Sequence, residues 1–149
     1  MTHLPDAIDL RLEAPGDLPA VAADPEQLRQ VLTNLVENAI KYSPDGGPVE
    51  VRLEPADGFL RFAVSDRGLG IPAGEQRRIF EKFYRLDPQM TRGIGGTGLG
   101  LYISRELVRR VNGRIWVDSA AGSGSTFFVE IPLARSADRT RPKQTPAAA

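Results

Sequence analysis

Hydrophobic positions along the chain follow two periods, one typical of strands and one typical of helices. Apolar and polar residues alternate in IDLRLE, VEVRLEP and FLRFAVSD, and two similar runs flank the turn at residues 122–124. The pattern predicts strands at residues 8–13, 49–55, 59–66, 114–119 and 125–133, with a short partner strand at 20–23. Because only a short turn separates the members of each later pair, both pairs are expected to be hairpins.

Three segments carry the helical period. Asp24 is placed to cap the first helix, Pro25 to open it and Gln27 to complete a capping box. This helix is predicted to run to about Tyr42, where the turn sequence SPDGG ends it. A short helix is predicted at residues 74–80 and a third at 98–111, before Asn112-Gly113. Residues 86–96 have no period and predict a mobile loop.

The order of these elements indicates the fold class. Strands occur in pairs and do not alternate strictly with helices, which disfavours a parallel doubly wound sheet. The sequence therefore predicts an α+β two-layer sandwich, with three helices on one face of a mixed, mostly antiparallel sheet. A single domain at residues 1–133 and a disordered tail at 134–149 are expected.

Composition narrows the range of partners. The 149 residues include 19 basic and 19 acidic side chains, so the formal net charge is zero. That balance argues against nucleic acid or a membrane surface as a direct partner. With no cysteine, disulfides and thiolate metal sites are excluded. Neither a membrane span nor a signal peptide is evident, so a soluble, cytoplasmic domain is expected, although its parent protein could be membrane-anchored.

The first helix carries a polar stripe beside its apolar face. Asn34, Asn38 and Lys41 lie within about 60° of one another, and Tyr42 follows next to them. Amide oxygens suit a hard cation such as Mg²⁺, and an ammonium group suits a phosphate. The same stripe would also be the ordinary solvent face of an amphipathic helix.

Asp66 stands at a predicted strand end and is followed by Gly68 and Gly70. Its carboxylate could accept hydrogen bonds from the amine of a purine and from a water, while the glycines let a ring approach the backbone. A plain turn after a strand would have the same composition.

Five glycines occupy the nine residues GIGGTGLGL at 93–101. Backbone N–H groups and a helix N-terminus form an anion site, and a loop so rich in glycine could close over a ligand as a lid. The stretch lacks the Gly-Lys-Ser/Thr ending of a Walker phosphate loop and does not fit a dinucleotide fingerprint.

Taken together and in order, the motifs NLVENAIKYS, DRGLGIP, FEKFYR, GTGLGL and GSGSTF are specific. From about Ile8 to Leu133, the chain closely resembles the catalytic, ATP-binding domain of bacterial sensor histidine kinases. The resemblance implies the Bergerat ATP-binding sandwich, which gyrase-type, chaperone and mismatch-repair ATPases share.

The resemblance also implies roles for individual residues. Asn38 matches the magnesium ligand with Asn34 beside it, Lys41 matches a phosphate contact, and Tyr42 and Asp66 match the adenine contacts. Phe80 and Phe83 match the motif that anchors the lid, Arg85 is a candidate phosphate contact, and Thr126 matches a hydroxyl residue near adenine. The residues expected at the site are Asn34, Asn38, Lys41, Tyr42, Asp66, Gly68, Gly70, Ile71, Phe83, Arg85, Gly96, Thr97, Gly98, Leu99, Gly100, Leu101 and Thr126.

The chain departs from the family pattern in two places. Arg67 stands where the family often has asparagine, and the only histidine, His3, lacks the sequence context of a phosphoacceptor. The implied function is therefore to bind ATP and Mg²⁺ and to phosphorylate a histidine on a separate helical dimerisation domain, which then serves a response regulator. The isolated domain is expected to be monomeric.

Two alternatives stay open at this point. One is an ATP hydrolase or serine kinase of the same superfamily, with Glu37 in place of the usual general base. The other is a nucleotide-binding switch without catalysis.

Overall fold

A computed structural model of the chain describes residues 8–84 and 99–134. Its strands are β1 (Ile8–Glu13), β2 (Gly47–Ala56), β3 (Phe59–Asp66), β4 (Arg114–Ser119) and β5 (Ser125–Pro132). Its α-helices are α1 (Pro25–Lys41) and α2 (Gly100–Arg110). The strands form one sheet in the order β1-β2-β3-β5-β4. Only the β1–β2 pair is parallel, so the mixed, mostly antiparallel α+β sandwich is confirmed.

Some predicted elements differ in detail. Residues 20–23 do not form a strand, and Val21 makes only an isolated bridge to Leu133. The helix expected at 74–80 is instead two 3₁₀ turns, Ala73–Glu75 and Arg78–Phe80. The loop predicted at 86–96 and nearly all of the predicted tail lie outside the described residues. Ala134 is buried, and its N–H donates to the Ala20 carbonyl, so this first residue of the predicted tail packs on the domain.

Helix α1 begins with Asp24 as its cap and Pro25 as its first residue, as predicted, but among the described residues Gln27 does not complete the predicted capping box. The Asp24 carboxylate accepts a hydrogen bond from the Glu26 N–H at 2.9 Å, which satisfies one of the free donors of the first turn. Val31, Leu35 and Ala39 recur at helical spacing and are buried against the sheet. Both α-helices therefore contribute to one core, formed with the inward residues of the three central strands.

The register of the central strands positions the site. Asp66, the last residue of β3, pairs with Ser125, the first residue of β5. Since α1 ends close by, the polar C-terminal half of that helix meets the end of the sheet. Within residues 8–84 and 99–134, no helix combines the length and apolar character needed to cross a membrane.

Candidate functional site

A cleft opens between the C-terminal half of α1, the first turn of α2 and the end of the sheet where β3 meets β5. It spans about 420 Å³ of empty space, including solvent at its open mouth. Its walls combine an apolar floor with a few polar groups, a composition typical of small-molecule sites. The lining residues are Asn38, Tyr42, Asp66, Gly70, Ile71, Ile79, Tyr84, Leu101, Ser125 and Phe127.

Among the described residues of this lining, Asp66 is the one acidic side chain, and it is only 7% exposed. Its Oδ1 accepts the Gly68 N–H at 2.9 Å. Burial raises the pKa of Asp66, and backbone hydrogen bonds from Gly68 and Ser125 offset only part of that effect. No cationic side chain among the described residues forms an ion pair with it. The carboxylate therefore keeps acceptor capacity that the described part of the protein does not fill.

The two predicted glycines of the following turn are required by close backbone contacts. A methyl group at Gly68 would collide with the carbonyl oxygen of Tyr42. Gly70 has a φ of +70°, and a methyl group there would collide with the Ala120 carbonyl oxygen. The Leu69 N–H also donates to the Tyr42 carbonyl at 3.1 Å. The turn after Asp66 is thus held against the end of α1, which fixes the position of the carboxylate.

The polar stripe of α1 divides into residues with different surroundings. Asn38 lines the cleft, and no described residue forms a hydrogen bond with its side chain. The Asn34 Nδ2 instead donates to the Gly100 carbonyl at 3.3 Å and to the Ser104 Oγ at 3.2 Å. Asn34 therefore joins α1 to α2, while Lys41 is exposed at the helix end.

The described residues of the cleft fit a Mg²⁺ ion only if a bound nucleotide supplies some of its ligands. The described residues contain no group of three His, Cys, Asp or Glu side chains that could hold a metal alone. The amide oxygen of Asn38 is a suitable hard ligand in the cleft. Because Mg²⁺ commonly combines one or two protein oxygens with substrate phosphates and water, this donor set fits a metal that arrives with a nucleotide.

Two predicted site residues, Thr126 and Phe83, are not among the described residues that line the cleft. The Thr126 hydroxyl lies 2.9 Å from the Ser65 Oγ. Because neighbouring strand residues face opposite sides, Thr126 points away from the cleft and Ser125 supplies the hydroxyl there. Phe83 is 63% exposed with a φ of +65°, whereas the next residue, Tyr84, lines the cleft.

The remaining predicted residues fall into three groups. Tyr42, Ile71 and Leu101 line the cleft, and their role in binding stays a prediction. Leu99 and Gly100 begin α2 beside it, and among the described residues a methyl group at Gly100 would come no closer than 4.0 Å to another atom, the side-chain carbon of Asn34. The predicted lid residues and phosphate contact that lie outside the described residues are Arg85, Gly96, Thr97 and Gly98.

Sequence reasoning missed four lining residues, namely Ile79, Tyr84, Ser125 and Phe127. Two of them could have been found from the period of the last strand, since Ser125 and Phe127 share the face that holds the core. Phe127 also packs edge-on against Phe80, with ring centroids 6.1 Å apart.

Comparison with known protein families identifies the family to which a chain with this cleft belongs. Residues 23–135 match the family model described as histidine kinase-, DNA gyrase B-, and HSP90-like ATPase, which is more than half of the chain. The chain belongs to this family. It is an ATP-binding domain of the histidine kinase type, because its relatives include sensor histidine kinases and its structural neighbours are histidine kinase catalytic domains.

One similar relative is the adaptive-response sensory kinase SasA of Prochlorococcus marinus (strain AS9601). It is 42% identical over 127 residues, which are 85% of this chain and 34% of SasA. The chain therefore spans about a third of the length of that relative.

Two solved structures share the fold. Full-length ShkA in complex with AMPPNP gives a TM-score of 0.74 at 32% identity, covering 87% of this chain and 27% of ShkA. The catalytic domain of histidine kinase ThkA gives 0.72 at 33% identity, covering 85% of this chain and 80% of that domain.

Proposed function

We propose that this ATPase-family domain binds Mg²⁺-ATP and donates the γ-phosphoryl group to a histidine on a separate helical phosphoacceptor domain. We further propose that the domain lies on the cytoplasmic side of its parent protein and is a monomer when isolated. A response regulator would act downstream of the phosphorylated histidine. The observation that carries it is the buried Asp66 carboxylate, which has backbone donors but no cationic partner among the described residues. The structure of ShkA with AMPPNP adds support, since that relative shares the fold.

Adenine fits the chemistry of the cleft. Its exocyclic amine would donate to the free acceptor positions of Asp66, and its ring would lie against the apolar floor formed by Ile71, Ile79 and Phe127. Tyr42 and Tyr84 border the same space. Gly68 and Gly70 let the turn pack against the Tyr42 and Ala120 carbonyls, which holds Asp66 in place for this contact.

The phosphate tail would extend along α1 toward α2. Asn38 would hold Mg²⁺, which neutralises part of the triphosphate charge when bound. Lys41 would add a positive charge at the end of α1, and the N-terminus of α2 would contribute the favourable end of its dipole. In the transfer step, an imidazole nitrogen attacks the γ-phosphorus and forms a P–N bond while the bond to the bridging oxygen breaks and ADP leaves. This domain contributes position and charge rather than a covalent intermediate.

The surroundings of Asn34 and Glu37 disfavour the hydrolase alternative. Asn34 is an amide bound to Ser104 and the Gly100 carbonyl, so it cannot serve as a general base. Glu37 is exposed and is not among the residues that line the cleft. Neither residue is therefore placed to activate a water at the nucleotide.

Calorimetric titration of the chain with AMPPNP, with and without Mg²⁺, tests the binding half of the proposal. We expect binding that strengthens with Mg²⁺ and loses that dependence in Asn38→Ala. Lys41→Ala, on the same stripe but outside the cleft lining, is the comparison variant and should weaken binding with the Mg²⁺ dependence preserved. No heat and no thermal protection with millimolar nucleotide would refute the proposal.

The transfer half needs a phosphoacceptor. A matching helical phosphoacceptor domain added in trans with labelled ATP should acquire acid-labile phosphate. Tight nucleotide binding without any such label would instead favour the nucleotide-binding switch.

A further inference from the structure

A hydrogen-bonded cluster behind the cleft joins three separate segments through Ser119, the last residue of β4. The Ile71 N–H donates to the Ser119 Oγ at 2.8 Å. The Ser119 hydroxyl donates to the Gly124 carbonyl at 2.8 Å, and the Ser125 Oγ lies 2.8 Å from the Ser119 Oγ. One hydroxyl therefore binds the turn that follows Asp66 to Gly124 and to Ser125, the first residue of β5.

The direction of the serine–serine bond follows from the number of protons. A serine hydroxyl has one proton and two acceptor positions. Ser119 uses its proton on the Gly124 carbonyl, because a carbonyl can only accept. It must then accept from Ser125, as it already accepts from Ile71. The Ser125 proton is thus directed at Ser119, and only acceptor lone pairs of Ser125 remain for the cleft.

Gln76 fixes the backbone on both sides of this cluster. Its Nε2 donates to the Ile71 carbonyl at 3.0 Å and to the Ser119 carbonyl at 2.7 Å. Gly124 adds a close contact, since a methyl group there would collide with the Asp66 carbonyl oxygen. The hydroxyl groups are therefore held by a rigid frame and cannot easily exchange partners.

We propose that Ser119 is a positioning residue that fixes Ser125 as a hydrogen-bond acceptor, so that the cleft selects a purine carrying an exocyclic amine. The inference rests on the proposed function and adds to it the means of base selection. Asp66 and Ser125 both line the cleft and pair in register, so two acceptors stand at the same end of it. An amine can donate to them, whereas a carbonyl oxygen in the same position would face only lone pairs.

The test compares ATP with inosine triphosphate, in which an oxygen replaces the amine and N1 carries a hydrogen. For each variant, dissociation constants are measured for both nucleotides in the presence of Mg²⁺. The selectivity ratio is the dissociation constant of inosine triphosphate divided by that of ATP. We expect the wild-type chain to prefer ATP. Ser119→Ala releases the Ser125 proton, which can turn toward the inosine oxygen, so the ratio should fall roughly tenfold.

Three further variants separate positioning from a general structural role. Ser125→Ala removes the acceptor itself and should lower the ratio similarly. In that background Ser119→Ala should have no further effect on the ratio, because Ser119 acts only through Ser125. Ser65→Ala is the matched control, since it removes an equivalent hydroxyl–hydroxyl bond, to Thr126, on the opposite face of the sheet.

The outcomes distinguish the two proposals. A chain that binds no ATP refutes the proposed function and this inference with it. A chain that binds ATP but keeps the wild-type ratio in Ser119→Ala refutes only the inference, even if both nucleotides bind more weakly. If Ser119→Ala does not fold, Ser125→Ala and Ser119→Thr replace it. An unchanged ratio in Ser125→Ala refutes the inference. A lowered ratio in Ser125→Ala, together with a wild-type ratio in Ser119→Thr, supports it.

Discussion

Two buried carboxylates lie on neighbouring strands of this domain and have opposite surroundings. Asp66 ends β3 and faces the cleft, whereas Glu130 lies within β5 on the helix-free face of the sheet. They are 7% and 3% exposed. The Glu130 Oε2 accepts from the Arg61 Nη2 at 2.7 Å, and its Oε1 accepts from the Arg114 Nε at 2.9 Å. Among the described residues, Asp66 has only backbone donors.

The two environments shift the pKa values in opposite directions. Burial acts to raise the pKa of Glu130, but hydrogen bonds and charges of Arg61 and Arg114 outweigh it and lower the pKa. Burial raises the pKa of Asp66, and its backbone donors do not compensate. Burial alone therefore does not distinguish a structural carboxylate from a binding one. The distinction is whether the protein itself saturates the acceptor positions, as it does for Glu130.

The largest expected effect on stability is that of Glu130→Gln. The change leaves two guanidinium groups without their shared charge partner, and because both are partly exposed we expect a loss of about 2–3 kcal/mol of unfolding free energy. Urea denaturation of the nucleotide-free chain measures it. The ATP dissociation constant should stay within about twofold of wild type, and a larger change would mean that the two carboxylates are not separate in function.

Asp66→Asn should weaken ATP binding without lowering the stability of the nucleotide-free chain, the opposite of what is expected for Glu130→Gln. Loss of a charged acceptor for the adenine amine should weaken ATP binding by about 10- to 150-fold. Asparagine keeps an oxygen for the Gly68 N–H, and it removes a carboxylate that burial disfavours in its charged form. The nucleotide-free variant should therefore be at least as stable as wild type at neutral pH. Calorimetry and urea denaturation on one preparation would measure both quantities, and unchanged ATP affinity would contradict the assignment.

The pH dependence of stability gives a further contrast. Because the folded pKa of Glu130 is lowered, its contribution is present above the ordinary value of 4.5 and is lost as the pH falls through the folded pKa. Because the folded pKa of Asp66 is raised, its contribution is present below the ordinary value of 3.8 and is lost as the pH rises through the folded pKa. The stability of wild type relative to Glu130→Gln should thus increase with pH, and relative to Asp66→Asn it should decrease. Parallel curves would show that the two environments do not differ as described.

Several residues that the sequence indicated for a binding site line the same cleft in the structure. Asp66 was recognisable because a strand ends there and two glycines follow, and the helical period placed Asn38 on a face distinct from the core. The fold class followed from strands that occur in pairs. These features depend on local pattern, which one sequence contains.

The features that the sequence did not predict depend on contacts between distant segments. Glu130 is an ordinary outward position of a strand until register places Arg61 and Arg114 on both sides of it. Likewise, nothing local indicates that Asn34 binds α2 while Asn38, one turn later, faces the cleft. The sequence indicated Thr126, whereas the structure has the neighbouring Ser125 in the cleft lining, because one residue along a strand moves a side chain to the other face.

The smallest expected effect on stability is the difference between removing Arg61 and removing Arg114, the two arginines that bind Glu130. The Arg114 side chain is 67% exposed and that of Arg61 is 33% exposed. Since solvent screens the more exposed charge, Arg114→Met should cost about 1 kcal/mol or less of unfolding free energy, and Arg61→Met should cost more. Arg114 also lies 4.7 Å over the Trp116 ring, a contact that the methionine chain can partly replace. Urea denaturation of both variants gives the comparison, and equal losses would mean that exposure does not determine how each arginine stabilises the buried carboxylate.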